Sequence, residues 1–404
     1  MKRLVIALAA LALALATAPV VARASSEKTV LVKYKRGTSE SAKKNAEASV
    51  HGQRANRLDF IQTYVVKVKD QKNAVATLKR NKHVEFVEAN TQSKHILATN
   101  PNDPSFGTQW NFNNANDADI DGPEGWAKAY GTNALGQTLF PTSFTGPIIG
   151  IVDTGVAQNH PDLAGKVVAC ANAQTSLGIV QSGGCGDDNG HGTHVSGIAA
   201  AKTNNAVGVA GTAPGSRIAM CKALNAGGVG WQADIDACMN WLKNQGVAVI
   251  SMSLGGGSSA SEQAAVAAIW SNGNGTLMVA AAGNDSDSST EFPAGYAEVV
   301  SVASSDRNDA HSSFSNTNAD VEICAPGSDV YSTYATGPIN GYSTLSGTSM
   351  ATPHAGGVAA MIKLLHPTFN AGALRSALDA AVDDLGAAGR DNVFGFGRLN
   401  LSKI

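Results

Sequence analysis

Three short segments carry residue types that together activate a hydroxyl: Asp153-Thr154-Gly155, Gly190-His191-Gly192-Thr193-His194 and Gly347-Thr348-Ser349-Met350-Ala351. A serine hydroxyl is a poor nucleophile at neutral pH. It becomes reactive when a histidine takes its proton and a carboxylate orients that histidine. The chain presents these members in the order Asp, His, Ser, each beside glycine, which lets backbone and ligand approach closely. Singly, each has a plainer explanation: Ser349 as a helix N-cap, Asp153 as a strand-end cap. His191 and His194 form a His-x-x-His pair that invites zinc, but a zinc-protease helix needs His-Glu-x-x-His and no third ligand stands out. An esterase built on Gly-x-Ser-x-Gly would run Ser, Asp, His, whereas here the serine comes last. The joint pattern points to acyl transfer by an activated serine.

These residues must be held by regular elements. Apolar runs at Ile148 to Val152, Arg217 to Cys221, Val247 to Ser251, Leu277 to Ala281 and Val299 to Val302 read as strands. They alternate with helical patterns at His191 to Ala201, Ala233 to Gln245, Ser261 to Ser271, Ser349 to Leu365 and Ala371 to Ala381. Continuous apolar strands between helices predict an α/β fold with a doubly wound parallel sheet covered on both faces. Functional residues in such sheets gather at strand carboxyl ends. Asp153 directly follows one such run and Asn284 closely follows another.

The N-terminal region differs. Lys2 and Arg3 precede an apolar run from Leu4 to Leu15, and Ala22-Arg23-Ala24 follows. This predicts a secretory signal peptide over 1–24; cleavage after Ala18 would place Pro19 just past the bond. Twelve apolar residues are too few for a bilayer span, so no membrane association is expected once the signal is removed. Ser25 to Ile96 carries 15 Lys plus Arg against 7 Asp plus Glu, a net charge of +8, and residues 97–404 carry 12 against 25, a net of −13. Opposite signs predict docking surfaces weakened by salt. The basic charges are dispersed among strand-like runs with only four aromatics, Tyr34, Phe60, Tyr64 and Phe86, which argues against nucleic acid. Strands at Val30 to Tyr34, Thr63 to Val68 and Val84 to Glu88, with helices at Glu40 to Val50 and Asn73 to Lys79, predict a small α+β unit followed by a polar linker over 91–102. Export permits disulfides. The expected pairs are Cys170 with Cys185 and Cys221 with Cys238, with Cys324 a buried thiol.

The chain resembles the subtilisin-like (subtilase) serine proteases, in the manner of the thermitase and proteinase K relatives. The segments carrying the resemblance are Gly150 to Gly155, Gly190 to Gly197, Ser253 to Gly256, Ala280 to Asn284 and Gly347 to His354, within residues 97–404. Residues 25–96 resemble an inhibitor-type propeptide. The resemblance implies a secreted endopeptidase, in the medium or the periplasm, that processes its own propeptide and acts on protein and peptide substrates as a monomer. It implies Ser349 as nucleophile, His191 as general base and acid, Asp153 as its orienting carboxylate and Asn284 as oxyanion donor beside the Ser349 N–H. The substrate would lie as an extended strand between Gly227 to Gly230 (contacting Gly228 and Gly230) and Ser253, Leu254 and Gly255. Trp231 either walls a pocket or belongs to the core. Ala282, Gly283, Asp285 and Glu291 would bound the primary specificity pocket, whose two carboxylates would favour Lys or Arg before the scissile bond. Structural Ca2+ is implied on the side chains of Asp103, Asp162 and Asn205 and the carbonyls of Lys202, Val207 and Val209, with Asp187 and Asp188 as a possible second ion site.

Overall fold

The computed structural model describes residues 28–90, 99–336 and 339–404. The signal segment and the propeptide cut expected between Ser93 and Ala98 lie outside the described residues. The chain divides into two compact units, Met1–His95 and Ile96–Ile404.

The first unit runs β1 (Thr29–Tyr34), α1 (Glu40–Ala48), β2 (Gln53–Leu58), β3 (Thr63–Lys67), α2 (Gln71–Leu78) and β4 (Val84–Ala89). Its antiparallel sheet has the order β2-β3-β1-β4. Alternation along β1 turns Val30, Val32 and Tyr34 inward, where they meet Val66 of β3, Ala46 of α1 and Ala74 and Leu78 of α2. The capping serine and aspartate start both helices: Ser39 accepts from the Ala42 N–H and Asp70 from the Asn73 N–H.

The second unit continues α3 (Gly122–Tyr130), β5 (Ile148–Asp153), β6 (Val167–Asn172), β7 (Gln181–Ser182), α4 (His191–Ala200), β8 (Arg217–Lys222), α5 (Gln232–Asn244), β9 (Val249–Met252), α6 (Ala260–Trp270), β10 (Leu277–Ala281), β11 (Val300–Ser305), β12 (Val321–Pro326), β13 (Val330–Thr336), β14 (Ile339–Leu345), α7 (Thr348–Leu365), α8 (Ala371–Ala380), β15 (Val382–Asp383) and β16 (Arg398–Leu399). The main sheet has the order β15-β16-β12-β11-β10-β9-β5-β8-β6-β7. Pairing is parallel from β16 to β6 and antiparallel only at the two edges. Successive side chains leave opposite faces. Ile149, Ile151, Leu277 and Val279 pack with Val195 and Ile198 of α4 and Val358 and Met361 of α7. Val152, Met278 and Ala280 pack with Met239 and Leu242 of α5 and Val266 and Ile269 of α6. Two buried faces explain why these strands read as unbroken apolar runs.

Cys170–Cys185 and Cys221–Cys238 are disulfides, and Cys324 is a buried thiol. Several elements have no counterpart among those expected. β2 is a polar edge strand, α3 opens with Gly-Pro, β6 lies next to the edge strand β7 of the main sheet, and β7, β15 and β16 are two residues long. The β13–β14 hairpin is rich in Ser, Thr, Tyr and Gly and packs on α4.

Candidate active site

Asp153 is the last residue of β5 and is fully buried; His191 is the first of α4. His191 Nδ1 lies 2.8 Å from Asp153 Oδ1. An ionised carboxylate only accepts, so Nδ1 carries the proton and Nε2 presents its lone pair. The Thr154 N–H donates to the same Oδ1 at 2.7 Å. This approach needs glycine at position 192, because a Cβ there would overlap the Gly155 carbonyl and crowd Asp153 Oδ1 at 3.1 Å. Burial, the largest influence, pushes the His191 imidazole down. The charge and hydrogen bond of Asp153, with the charge of Asp187, outweigh it, so His191 titrates above the usual histidine value.

Asp187 organises the turn that delivers His191. It accepts from the N–H groups of Asn189 (3.1 Å), Gly190 (2.9 Å) and Thr193 (2.8 Å), and from the hydroxyls of Thr154 (2.9 Å) and Thr193 (2.6 Å). Asp188 pairs with Lys222 Nζ at 2.7 Å, and that buried ammonium also donates to the carbonyls of Thr154 and Leu224. The second ion expected on Asp187 and Asp188 gains no support here, because the Lys222 ammonium already balances Asp188 and Asp187 is engaged in holding the His191 turn. The His-x-x-His zinc reading has no geometry either. His194 turns its Nε2 to the carbonyls of Val330 and Ser343, each at 3.1 Å. The hairpin braces α4 further through Ser332 Oγ to the His194 carbonyl (2.9 Å) and Thr333 Oγ1 to the Thr193 carbonyl (2.7 Å).

Ser349 lies in the first turn of α7, where backbone N–H groups have no acceptor within the helix. Its hydroxyl donates to the Ser253 carbonyl at 3.3 Å, and Ser253 Oγ donates back to the Ser349 carbonyl at 2.7 Å. Asn284 Oδ1 accepts from the Thr348 N–H (2.8 Å) and hydroxyl (3.0 Å). An N–H can only donate, so the accepting atom is the oxygen and the amide nitrogen stays available. His191 and Ser349 line one cavity of about 490 Å³ with Gly228, Val229, Gly230, Ile235, Ser253, Leu254 and Gly255. The rim at Gly230 forms an antiparallel bridge with Leu224.

Ala282, Gly283, Asp285 and Glu291 do not line this cavity. Glu291 stands behind its wall: a Cβ on Gly255 would lie 2.8 Å from Glu291 Oε2, and one on Gly283 would lie 2.8 Å from Glu291 Cγ. Burial, then the charge of Asp285, a hydrogen bond with Asp285 and the charge of Asp287, raise Glu291 above the ordinary carboxylate range. Trp231 is exposed, which removes the core alternative of the two readings. Sequence reasoning also missed Thr348, Asp187 as the organiser of the His191 turn, and Lys222. The polar triplet before Ser349 was the available signal for Thr348.

A profile of the "Subtilase family" matches residues 145–397, and one of the "Fervidolysin N-terminal prodomain" matches residues 24–90. The chain belongs to the subtilase family. It is 40% identical over 305 residues to thermitase of Thermoactinomyces vulgaris, covering 75% of this chain and 98% of that one. It is 36% identical over 342 residues to a thermophilic serine proteinase of Bacillus sp. (strain AK1), covering 83% and 76%. Among solved structures it is similar to a protease from Pseudoalteromonas arctica PAMC 21717, with a TM-score of 0.66 and 29% identity over 76% of this chain and 98% of that chain. The chain is thus a subtilisin-like serine endopeptidase with an N-terminal prodomain. Among the described residues no helix is long and apolar enough to cross a membrane.

In this subtilase the side chains of Asp103, Asp162 and Asn205 lie together. Asn205 Nδ2 donates to Asp162 Oδ1 at 2.9 Å, and the N–H groups of Asn204 and Asn205 donate to the two oxygens of Asp103 at 2.7 and 3.1 Å. The loop closes with the Lys202 N–H on the Asp162 carbonyl (2.8 Å), the Val207 N–H on Asn205 Oδ1 (2.8 Å) and the Val209 N–H on Asp162 Oδ2 (2.9 Å). Both carboxylates are buried, and among the described residues no Lys or Arg pairs with either. Burial pushes Asp103 up to about 6 against those backbone hydrogen bonds, with the charge of Asp162 adding to it. Burial likewise raises Asp162. Two buried carboxylates beside an amide side chain are of the oxygen-donor type that a hard cation takes. Among the described residues no group of three or more His, Cys, Asp or Glu side chains forms a metal cluster, so the carbonyls would complete the ligand set.

Proposed function

We propose that this subtilase hydrolyses peptide bonds in extended polypeptide segments, with Ser349 as nucleophile, His191 as general base and acid, and Asp153 as its orienting carboxylate. The observation that carries this is the 2.8 Å contact of His191 Nδ1 with Asp153, which leaves Nε2 free in the cavity that Ser349 shares. Ser349 Oγ attacks the scissile carbonyl carbon as its proton passes to His191 Nε2. Asp153 stabilises the resulting imidazolium. The oxyanion receives hydrogen bonds from Asn284 Nδ2 and the Ser349 N–H. His191 returns the proton to the leaving amine, and water then cleaves the acyl-enzyme by the same steps. Main-chain pairing with Gly228 to Gly230 and Ser253 to Gly255 gives broad tolerance of sequence. Glu291 behind that wall, with Asp285 beside it, favours Lys or Arg before the scissile bond.

Asp103, Asp162 and Asn205, with the carbonyls of Lys202, Val207 and Val209, would hold Ca2+, which supplies structural charge compensation and no chemistry. Residues 25–96 serve as inhibitor and folding helper after export directed by residues 1–24. Expression of wild type beside Ser349→Ala tests the assignment. Wild type should release the prosegment and cleave peptides, and the variant should accumulate uncut. Peptide hydrolysis by Ser349→Ala at the wild-type rate sinks it.

A further inference from the structure

Beside the cavity, apolar side chains stand in water on a segment that is held rigid. The disulfide Cys170–Cys185 ties the two ends of a loop that runs out past α5. The fully buried carboxylate of Asp234, in the first turn of α5, anchors that loop. It accepts from the N–H groups of Thr175 (3.1 Å), Ser176 (2.8 Å) and Gly178 (3.0 Å). Gly178 packs so closely on α5 that a Cβ would lie 3.1 Å from the Ala233 carbonyl. The second disulfide, Cys221–Cys238, fastens α5 to β8.

Leu177 is 71% exposed and Ile179 51%, while Val180 between Ile179 and β7 packs against the core. Trp231, the residue immediately before α5, is 68% exposed, and Val229 on the cavity rim 66%. Four large apolar side chains exposed around one pinned helix start do not serve the stability of the core. Such patches mark binding surfaces, and rigidity lowers the ordering cost of using one.

We propose that Leu177, Ile179 and Trp231 form an apolar subsite for the fifth to seventh substrate residues before the scissile bond, beyond the stretch that pairs with the Gly228 to Gly230 rim. The proposal rests on the protease reading above. The occupant follows from continuity: Val229 and Ile235 line the cavity that holds Ser349, Trp231 adjoins the Gly228 to Gly230 rim, and Asp234 adjoins Ile235. A chain paired along that rim would reach the patch after leaving the cavity.

Matured enzyme is assayed on one four-residue acyl-side peptide and on two extensions of it, Leu-Phe-Leu and Gly-Ser-Gly. The apolar extension should raise kcat/KM about tenfold over the polar one, through KM. Leu177→Ser/Ile179→Ser should cut that advantage to about twofold while cleaving the unextended peptide at the wild-type rate. Equal gains from both extensions in wild type overturn the subsite, as does an advantage that the double variant retains. A wild-type dimer that the double variant dissolves, without an extension effect, assigns the patch to a second copy and also overturns it. If even the unextended peptide resists wild type, the protease reading itself fails.

Discussion

The side-chain oxygen of Asn284 accepts both the N–H and the hydroxyl of Thr348, at 2.8 and 3.0 Å. The residue beside the proposed nucleophile therefore decides which end of the amide is free. Because the oxygen is occupied, Asn284 offers N–H to a developing oxyanion without having to reorient. Preorganised donors of this kind are worth about 10²–10³ in kcat. Asn284→Leu should lose that factor with KM nearly unchanged. Thr348→Val, which keeps the N–H and removes one of two anchors, should lose about fivefold in kcat, in line with about 1 kcal/mol for a hydrogen bond. A Thr348→Val enzyme altered in KM alone would show that Thr348 does not act through Asn284.

Protonation of His191 sets the acid limb of activity. Its pKa lies above the ordinary value of about 6.5 because Asp153 and Asp187 together outweigh burial. The base must be neutral to accept the Ser349 proton, so kcat/KM should fall as pH drops through a midpoint above 6.5. Asp153→Asn removes the charge that raises His191 and allows the wrong tautomer. It should move the limb down and cost about 10⁴ in kcat. An acid limb below pH 6 in wild type would contradict the electrostatics of the pair.

Calcium should act on stability. Among the described residues the buried carboxylates of Asp103 and Asp162 have no cationic side-chain partner, and a bound ion would relieve them. At 100-fold over its dissociation constant, a ligand specific to the native state adds about 2.7 kcal/mol. Scanning calorimetry of Ser349→Ala, which removes self-digestion, should show Tm falling by several degrees when calcium is chelated. Asp162→Asn should abolish that dependence. Identical Tm values with calcium and with chelator would rule the site out.

The legible parts of the chain were those where one short segment holds a whole chemical role. Asp153, His191 and Ser349 each sit beside glycine, and the strands with two buried faces announce themselves as apolar runs. What was hidden depends on long-range partners. Asp187 read as a spare ligand because the donors that occupy it come from the loop after β5, the turn before α4 and α4 itself. The β13–β14 hairpin hid because its Ser332 and Thr333 hydroxyls face the carbonyls of α4 instead of an apolar core. Trp231 was ambiguous because an aromatic beside a glycine-rich rim suits core and surface equally, and exposure settles it only in three dimensions.

The least ordinary prediction concerns Glu291. Its carboxylate lies against Gly255 and Gly283, behind the wall on which substrate would lie. Asp285 raises its pKa above the usual carboxylate range, after burial itself. A raised carboxyl is neutral at low pH and charged above its pKa, so attraction for a basic residue before the scissile bond should grow as pH rises. The ratio of kcat/KM for a Lys peptide over its Leu counterpart should increase between pH 5 and 8 in wild type. In Glu291→Gln it should be flat and about two- to fivefold lower at the upper end, the range expected for a partly exposed charge pair. The pH dependence separates this from the His191 limb, because both peptides share the same base and that effect cancels in the ratio. A ratio that stays constant in wild type would place Glu291 among the solvated acids of this surface and leave the cleft without a charge preference.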